Sequence, residues 1–447
     1  MAAGGTWSTQ NKVRPGVYIR FRSKEAVRLT VGQRGTVALC VPLTWGPVNQ
    51  VQELDSTMNL IPFTGFDISD KENVLFQQLL KGTNRTAAPT RMLLYRPEGK
   101  GAAKASAETG TLTATAKYPG SRGNGLTLVV AAQEDEEDLF TVSLILDGSV
   151  VWQQAAARVE DLADNDWADF SGSGALTAGV GTPFTGGKDG TVEGTDYTAF
   201  LQALAPYRFD VLLYGGDDGT VQQAMAAFVK DLADNHGRYS QLVVADAETA
   251  FDSPYVVNLT SGVTLSDGTV LTPGQTAWWL AGALAGAAFN QSLTAASYPD
   301  AVSVAPLLTD SQMEQGLSRG EFLLNADQGT VRVEQDINTL TTISQEMGIS
   351  GRKNRVVRLW AAMANDIYDQ FVRNFLGVVH NNDQGRSRLK AAILGYLLQL
   401  QAADGIQNLD PDDVEVLPGS EADSVTVNLA IQSVDSVEKI YVTMELA

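Results

Sequence analysis

FDVLLYGGDDGTVQQAMAAFVKDLADNHGRYSQLVVAD, Phe209 to Asp246, decides the fold. FDVLLYG is a short apolar run with the character of a buried strand. Val221, Met225, Phe228 and Leu232 then recur at helical spacing, and Gly237 stands just past the last of them, where a helix ends. QLVVAD is a second apolar run. Strand, helix, strand in that order predicts a crossover unit of a parallel sheet. Upstream, DYTAFLQALAPY places Tyr197, Phe200, Leu201 and Leu204 on one helical face. Further back, TVALCVPL, the helix-like NVLFQQLLKG and RMLLYR give the start of the same α/β pattern. That pattern breaks at EGKGAAKASAETG, which reads as a Gly/Ala-rich linker.

Residues 110–190 have another texture. TLTATAK, GLTLVVAA and LFTVSLIL are strand-like, and Asp147–Gly148 between apolar runs is a hairpin signal. From Ala131 to Phe170 eleven residues are acidic and only Arg158 is basic, so the segment is expected to face solvent. It reads as an all-β module inserted into the α/β domain. VTLSDGTVLT is a second Asp–Gly hairpin. AWWLAGALAGAAF, Ala277 to Phe289, is too short to span a bilayer and reads as a buried helix.

Beyond residue 345 two amphipathic helices are expected. RVVRLWAAMANDIYDQFVRNFLG puts Leu359, Met363, Ile367, Phe371 and Phe375 on one face, and RSRLKAAILGYLLQLQAADG stops at Gly405. The chain ends on VTVNLAIQSVDSVEKIYVTMELA. Val425, Val427, Leu429 and Ile431 alternate with polar or small residues, and so do Ile440, Val442, Met444 and Leu446: two half-buried strands. Near the start, RPGVYIRF is a further extended piece, with Val17, Ile19 and Phe21 facing one way and Tyr18 and Arg20 the other.

Charge and composition narrow the function. A net charge of −20 argues against wrapping nucleic acid through its phosphates. The single cysteine, Cys40, excludes a disulfide framework. MAAGGTWSTQNKVRPG lacks the apolar core of a secretory signal, so synthesis and retention in the cytoplasm are expected. Residues 351–400 reverse the overall sign: Arg352, Lys353, Arg355, Arg358, Arg373, Arg386, Arg388 and Lys390 against Asp366, Asp369 and Asp383. This is either a solvated helix face or a surface for an acidic partner.

Catalytic chemistry is sparse. His236 and His380 each follow a helix, where a capping role is expected. GTPFTGGKDG has the glycine spacing of a phosphate loop, but Gly187 intervenes before Lys188, and Asp189 stands where a magnesium-binding hydroxyl belongs. Asp217, Asp218 and Asp246 follow strands. They read as helix caps and turn formers, or else as metal ligands of a hydrolase on an α/β scaffold.

Several stretches, in this order and spacing, resemble the contractile tail sheath proteins of myophages and phage-tail-like bacteriocin particles, of the Gram-positive type. They are RPGVYIRF, YPGSRGNGLTLVV, GGKDG…DYTAFLQAL…FDVLLYGGDD, KNRVVRLW, FLGVVHNNDQGRSRLKAAILGYLLQLQ and VNLAIQSVDSVEKIYVTMEL. The resemblance implies a multidomain α/β + β fold. Its parts would be an N-terminal extended arm over 1–25 and a subtilisin-like, non-catalytic α/β domain over 26–102 and 193–344. An outward β-sandwich insertion would cover 103–192, and a tube-facing α+β assembly domain with a terminal strand arm 345–447. It implies stacked hexameric rings of one protein around an inner tail tube protein, with baseplate and tail terminator proteins as further partners. No enzyme activity, cofactor, metal, membrane or direct nucleic-acid contact is implied. Assembly would follow synthesis in the host bacterial cytoplasm. The arms would exchange strands between subunits through Val17, Tyr18, Ile19 and Phe21 at one end and Ile440, Tyr441, Val442, Met444 and Leu446 at the other. The basic segment then becomes a tube-facing surface centred on Arg352, Lys353, Arg355, Arg386 and Arg388. A self-assembling surface or tube protein of another kind is the other non-enzymatic reading.

Overall fold

The computed structural model describes residues 3–5, 16–18, 31–134, 138–344 and 348–445. The chain divides into two compact units: a larger one of residues 32–365 and 433–447, and a smaller one of residues 1–31 and 366–432.

The larger unit is built on a seven-stranded sheet in the order Glu321–Phe322, Val256–Leu259, Gln241–Ala245, Val211–Leu213, Thr36–Cys40, Arg91–Tyr95, Val51–Asp55. Every pairing is parallel except the last. Successive residues of each strand feed opposite cores. Val37, Leu39, Val211, Leu213 and Val243 pack with the buried helix Pro273–Gly286, while Ala38, Leu212, Leu242 and Val244 pack with Phe200, Met225 and Val229 of the helices Gly194–Leu204 and Gly219–His236. Burial on both faces is why these strands read as continuous apolar runs. Asp218 caps its helix by accepting from the amides of Thr220 and Val221, and Gly237 closes it at φ 60°. The buried helix expected at 277–289 forms as Pro273–Gly286, and its residues 276–285 are buried all round, as their composition demands. A Cβ on Gly282 would fall on the carbonyl oxygen of Leu79, so only glycine fits there.

Two features depart from the sequence reading. Val51–Asp55 (VQELD) forms an antiparallel edge strand that its charged pattern does not announce; Arg91 pairs with Glu53 across it at 3.0 Å. The presumed linker 98–110 is largely structure. Lys100, Ala103 and Ser106 bridge Thr191, Lys188 and Thr185, and Ser106–Thr109 is a strand. Its small residues are packing residues: Ala105 and Ala107 are buried in the module they lead into.

That module pairs a four-stranded sheet, Ser149–Ala156, Phe140–Leu146, Leu126–Ala132 and Gly179–Pro183, with a three-stranded one, Ala168–Gly172, Leu112–Ala116 and Ser106–Thr109. The Asp147–Gly148 turn forms with both residues at positive φ. The second Asp–Gly hairpin also forms, within a separate three-stranded sheet with Ala301–Ala305. GTPFTGGKDG is a joint, not a phosphate loop: Asp189 accepts from the amide and hydroxyl of Ser121 at 2.8 and 2.7 Å.

The module's root is held by Arg96, whose buried guanidinium donates to the carbonyls of Leu43, Gly46 and Pro119 at 2.8, 2.6 and 2.7 Å. Burial lowers its pKa to about 10, which leaves it charged at neutral pH. Arg96→Ala strands three carbonyls and is expected to cost about 3 kcal/mol, read as a lowered denaturation midpoint. A change below about 1 kcal/mol would mean that water replaces the guanidinium without penalty.

The smaller unit contains the end of the helix Asn354–Asn374, the helix Asp383–Ala402 and the antiparallel hairpin Val414–Pro418 with Val425–Leu429. Phe375, Leu389, Ile393, Tyr396, Leu397, Leu400 and Val414 are buried in it. Tyr396 donates to Asp366 at 2.8 Å, and Asn382 caps the second helix through the amide of Gly385. Ala3–Gly5 and Gly16–Tyr18 pair in parallel.

Candidate interaction site at the C-terminal segment

Of the two strands expected at the C-terminus, Val425–Leu429 is paired and the second is not. Residues 439–445 carry no strand ladder. Ile440 is 79% exposed, Tyr441 90%, Val442 70% and Met444 85%. Leu446 lies outside the described residues, as do Ile19 and Phe21. Val17 and Tyr18 fall in Gly16–Tyr18, opposite Gly4 and Gly5.

Just before this exposed stretch the chain is fastened to the larger unit. Glu438 Oε1 accepts from Thr294 Oγ1 at 2.8 Å; Oε2 accepts from Gln335 Nε2 at 2.7 Å and from Lys353 Nζ. These donors hold the carboxyl below its ordinary pKa against the opposing effect of burial. Arg355 Nη1 donates to Ser436 Oγ at 2.8 Å. Thr294 Oγ1 accepts in turn from the amide of Asp336, whose carboxylate pairs with Arg358. Both of those side chains are buried.

The residues expected to form a basic surface are largely engaged within their own chain. Arg352 reaches the carbonyl of Leu317, and burial lowers its pKa. Lys353 and Arg355 hold the terminal segment of their own chain, and Arg355 is buried. Arg386 pairs with Asp383 and donates to Asn381 at 2.9 Å; Arg388 is exposed. For Lys353 and Arg358 the counter-charges, Glu438 and Asp336, lie outside the sequence window in which the positive excess is counted. Glu438 carries little signal in the sequence: a carboxylate among alternating apolar residues ordinarily reads as solvent-exposed.

Asp218 is a helix cap, and Asp246 sits in a turn at φ 45° with its carboxyl raised by burial and by Glu321. Among the described residues no group of His, Cys, Asp and Glu is placed to hold a metal ion, and no helix is long and apolar enough to cross a membrane.

Comparison with known families matches three consecutive regions: the phage tail sheath protein beta-sandwich domain over 99–189, the central domain over 190–339 and the C-terminal domain over 350–447. The sheath tail protein of Desulfitobacterium hafniense is 37% identical, with 96% of this chain and 99% of that one covered at a TM-score of 0.85. This chain belongs to the phage tail sheath family. Its likeness extends to the sheath tail protein of Listeria innocua, at 30% identity over 94% of this chain and 96% of that one, TM-score 0.79. The phage-like element PBSX protein XkdK of Bacillus subtilis strain 168 is 33% identical, with 99% of each chain covered. The anti-feeding prophage helical sheath in its contracted state shares the fold at 12% identity, TM-score 0.58, covering 96% of this chain and 98% of that one. A tail sheath protein is a structural component, not an enzyme. The hydrolase reading of Asp217, Asp218 and Asp246 falls with that.

Proposed function

We propose that this sheath protein polymerises as stacked hexameric rings around an inner tube, that its terminal arms add strands to neighbouring subunits, and that the sheath contracts to drive the tube through a cell envelope. One observation carries the reading: residues 439–445 alternate apolar and polar in sequence, yet stand exposed and unpaired. A strand of this kind takes its backbone partners from another chain. Repeated head to tail, the contact does not close on itself and builds a helix. Backbone ladders of this kind hold while side-chain interfaces exchange, so the lattice shears without falling apart. The driving energy lies in an assembled state trapped above a more compact one. The solved contracted sheath and six-fold symmetrised baseplate of the anti-feeding prophage, which share the fold, favour contraction, six-fold rings and a baseplate partner. In this reading the seven-stranded unit is the subtilisin-like scaffold, the acidic β-sandwich faces outward, and the exposed Arg388, with Arg386, meets the tube. Tail terminator proteins complete the particle, made in the host bacterial cytoplasm. Negative-stain microscopy of the purified protein is the test: tubes of six-fold symmetry with a wide lumen are expected. Monomers at every concentration, or filaments without a lumen, would reject the reading.

A further inference from the structure

The pattern of burial around Glu438 runs opposite to what apolar burial alone produces. Val437 is 82% exposed and Ile440 79%, whereas the carboxylate side chain between them is 10% exposed. A segment docked to bury its apolar residues would turn Val437 and Ile440 inward and leave the charge in water. Here the charge is inside and the apolar residues are outside. The carboxylate is also fully provided for. Donors come from three separate places in the chain: Thr294, Gln335 and Lys353. Charge-assisted bonds of this kind are the strong ones. A second point of attachment, Arg355 to Ser436, lies two residues earlier. Thr294 and Lys353 are themselves fixed. Thr294 accepts from the amide of Asp336, and Lys353 adjoins Asn354, whose side-chain amide donates to Asp336 and to the carbonyl of Ile337. The groups that receive Glu438 are thus tied into the hydrogen-bond network of the larger unit.

We propose that Glu438 is the positioning residue of sheath assembly: docked on Lys353, Gln335 and Thr294 of its own chain, it fixes the root of the terminal strand so that residues 439–445 leave the body from a set point with their apolar side chains free. The inference rests on the reading that this strand is added in trans. Fixing the root lowers the entropy lost when the strand meets its neighbour, and it raises the strand's effective concentration at that site. It also keeps the strand's own apolar residues from folding back onto the subunit that owns them.

The test uses the full-length protein and two readouts. Hydrogen exchange of the 434–438 amides in unassembled subunits reports the docking, and the yield of tubes at a fixed protein concentration reports assembly. Glu438→Gln and Lys353→Met are expected to speed exchange of those amides about tenfold and to lower tube yield, with the melting temperature of the subunit unchanged. The exchanged pair Lys353→Glu with Glu438→Lys is expected to recover part of both. Unchanged exchange in Glu438→Gln would overturn the docking. Faster exchange with undiminished tubes would overturn the positioning role. A chain ending at Lys439 separates the two levels of the argument. It should keep slow exchange at the root and lose its tubes. If it forms tubes, the trans strand is wrong, and the positioning role goes with it.

Discussion

Deleting residues 440–447 is expected to yield a folded subunit that, on the proposed reading, no longer builds tubes. The described residues of this stretch contribute little to their own chain's stability: Ile440, Tyr441, Val442 and Met444 are at least 70% exposed, and no ladder joins them to another strand among the described residues. Changes at such positions are usually worth no more than about 0.5 kcal/mol. The thermal melt of the truncated chain should therefore overlay that of the intact one. On the proposed reading the same residues form an added strand in the assembled sheath. About five backbone hydrogen bonds at a net value of about 1 kcal/mol each amount to roughly 5 kcal/mol per contact, before any apolar burial. Losing that raises the concentration needed for polymerisation on the order of a thousandfold or more. Sedimentation of tubes from soluble subunits measures it. Val442→Pro is a gentler version, because proline removes one ladder donor and disfavours the paired strand while the rest of the chain stays. A truncated chain that sediments as tubes at the wild-type concentration would show that the strand links nothing. Deletion of residues 1–22 is expected to act in the same direction through the other arm.

The contrast between the two ends of the charged region shows how far the sequence could be read. In the α/β sheet the period of the sequence matches the structure. Alternating residues of Val211–Leu213 and Gln241–Ala245 feed two opposite cores, and the spacing of Val221, Met225 and Leu232 gave a helix face that is buried. The alternation of Ile440, Val442 and Met444 reads as a half-buried strand, whereas residues 439–445 stand exposed without a ladder. Where the signal was composition, it misled. Small residues at 105 and 107 read as a linker because glycine and alanine usually mark one, but both are buried in the core of the β module, Ala105 beside Gly123. Charge counts misled for a different reason. The partner of Arg358 stands 22 residues away and that of Lys353 stands 85 away, so a window of fifty residues sees the cations and misses their anions. Arg373 and Arg388 are members of the cluster that remain as the count describes them, exposed on their helices.

The pair that hides from such a count carries the second large effect. Asp336→Ala is expected to destabilise the larger unit by about 3–5 kcal/mol. Asp336 is 1% exposed and its carboxylate satisfies three donors: Arg358 Nη2 at 2.7 Å, the amide of Leu293 at 3.0 Å and Asn354 Nδ2 at 2.9 Å. Removing it leaves the guanidinium of Arg358 buried without its counter-charge. Nε and Nη1 of that group already find no partner among the described residues, so the Asp336 bond and one from Nη2 to the carbonyl of Gln291 are what offset its desolvation. The orphaned amide of Leu293 adds to the cost. Set against a usual total stability of about 5–15 kcal/mol, the loss is large enough to leave a sizeable unfolded fraction at 37 °C. Arg358→Met is expected to cost less, because Asp336 keeps two donors and the methionine refills part of the volume. Denaturant unfolding compares the two variants at a common slope. An Asp336→Ala midpoint within about 1 kcal/mol of wild type would mean that water reaches Arg358 and that the pair is not the keystone of this corner. The same variant bears on assembly, since the Asp336 carboxylate accepts from the amide of Leu293, the neighbour of Thr294, and Thr294 donates to Glu438. A subunit that survives the loss of the carboxylate should hold its C-terminal root more loosely, and faster hydrogen exchange at residues 434–438 would register that loosening even where the fold persists.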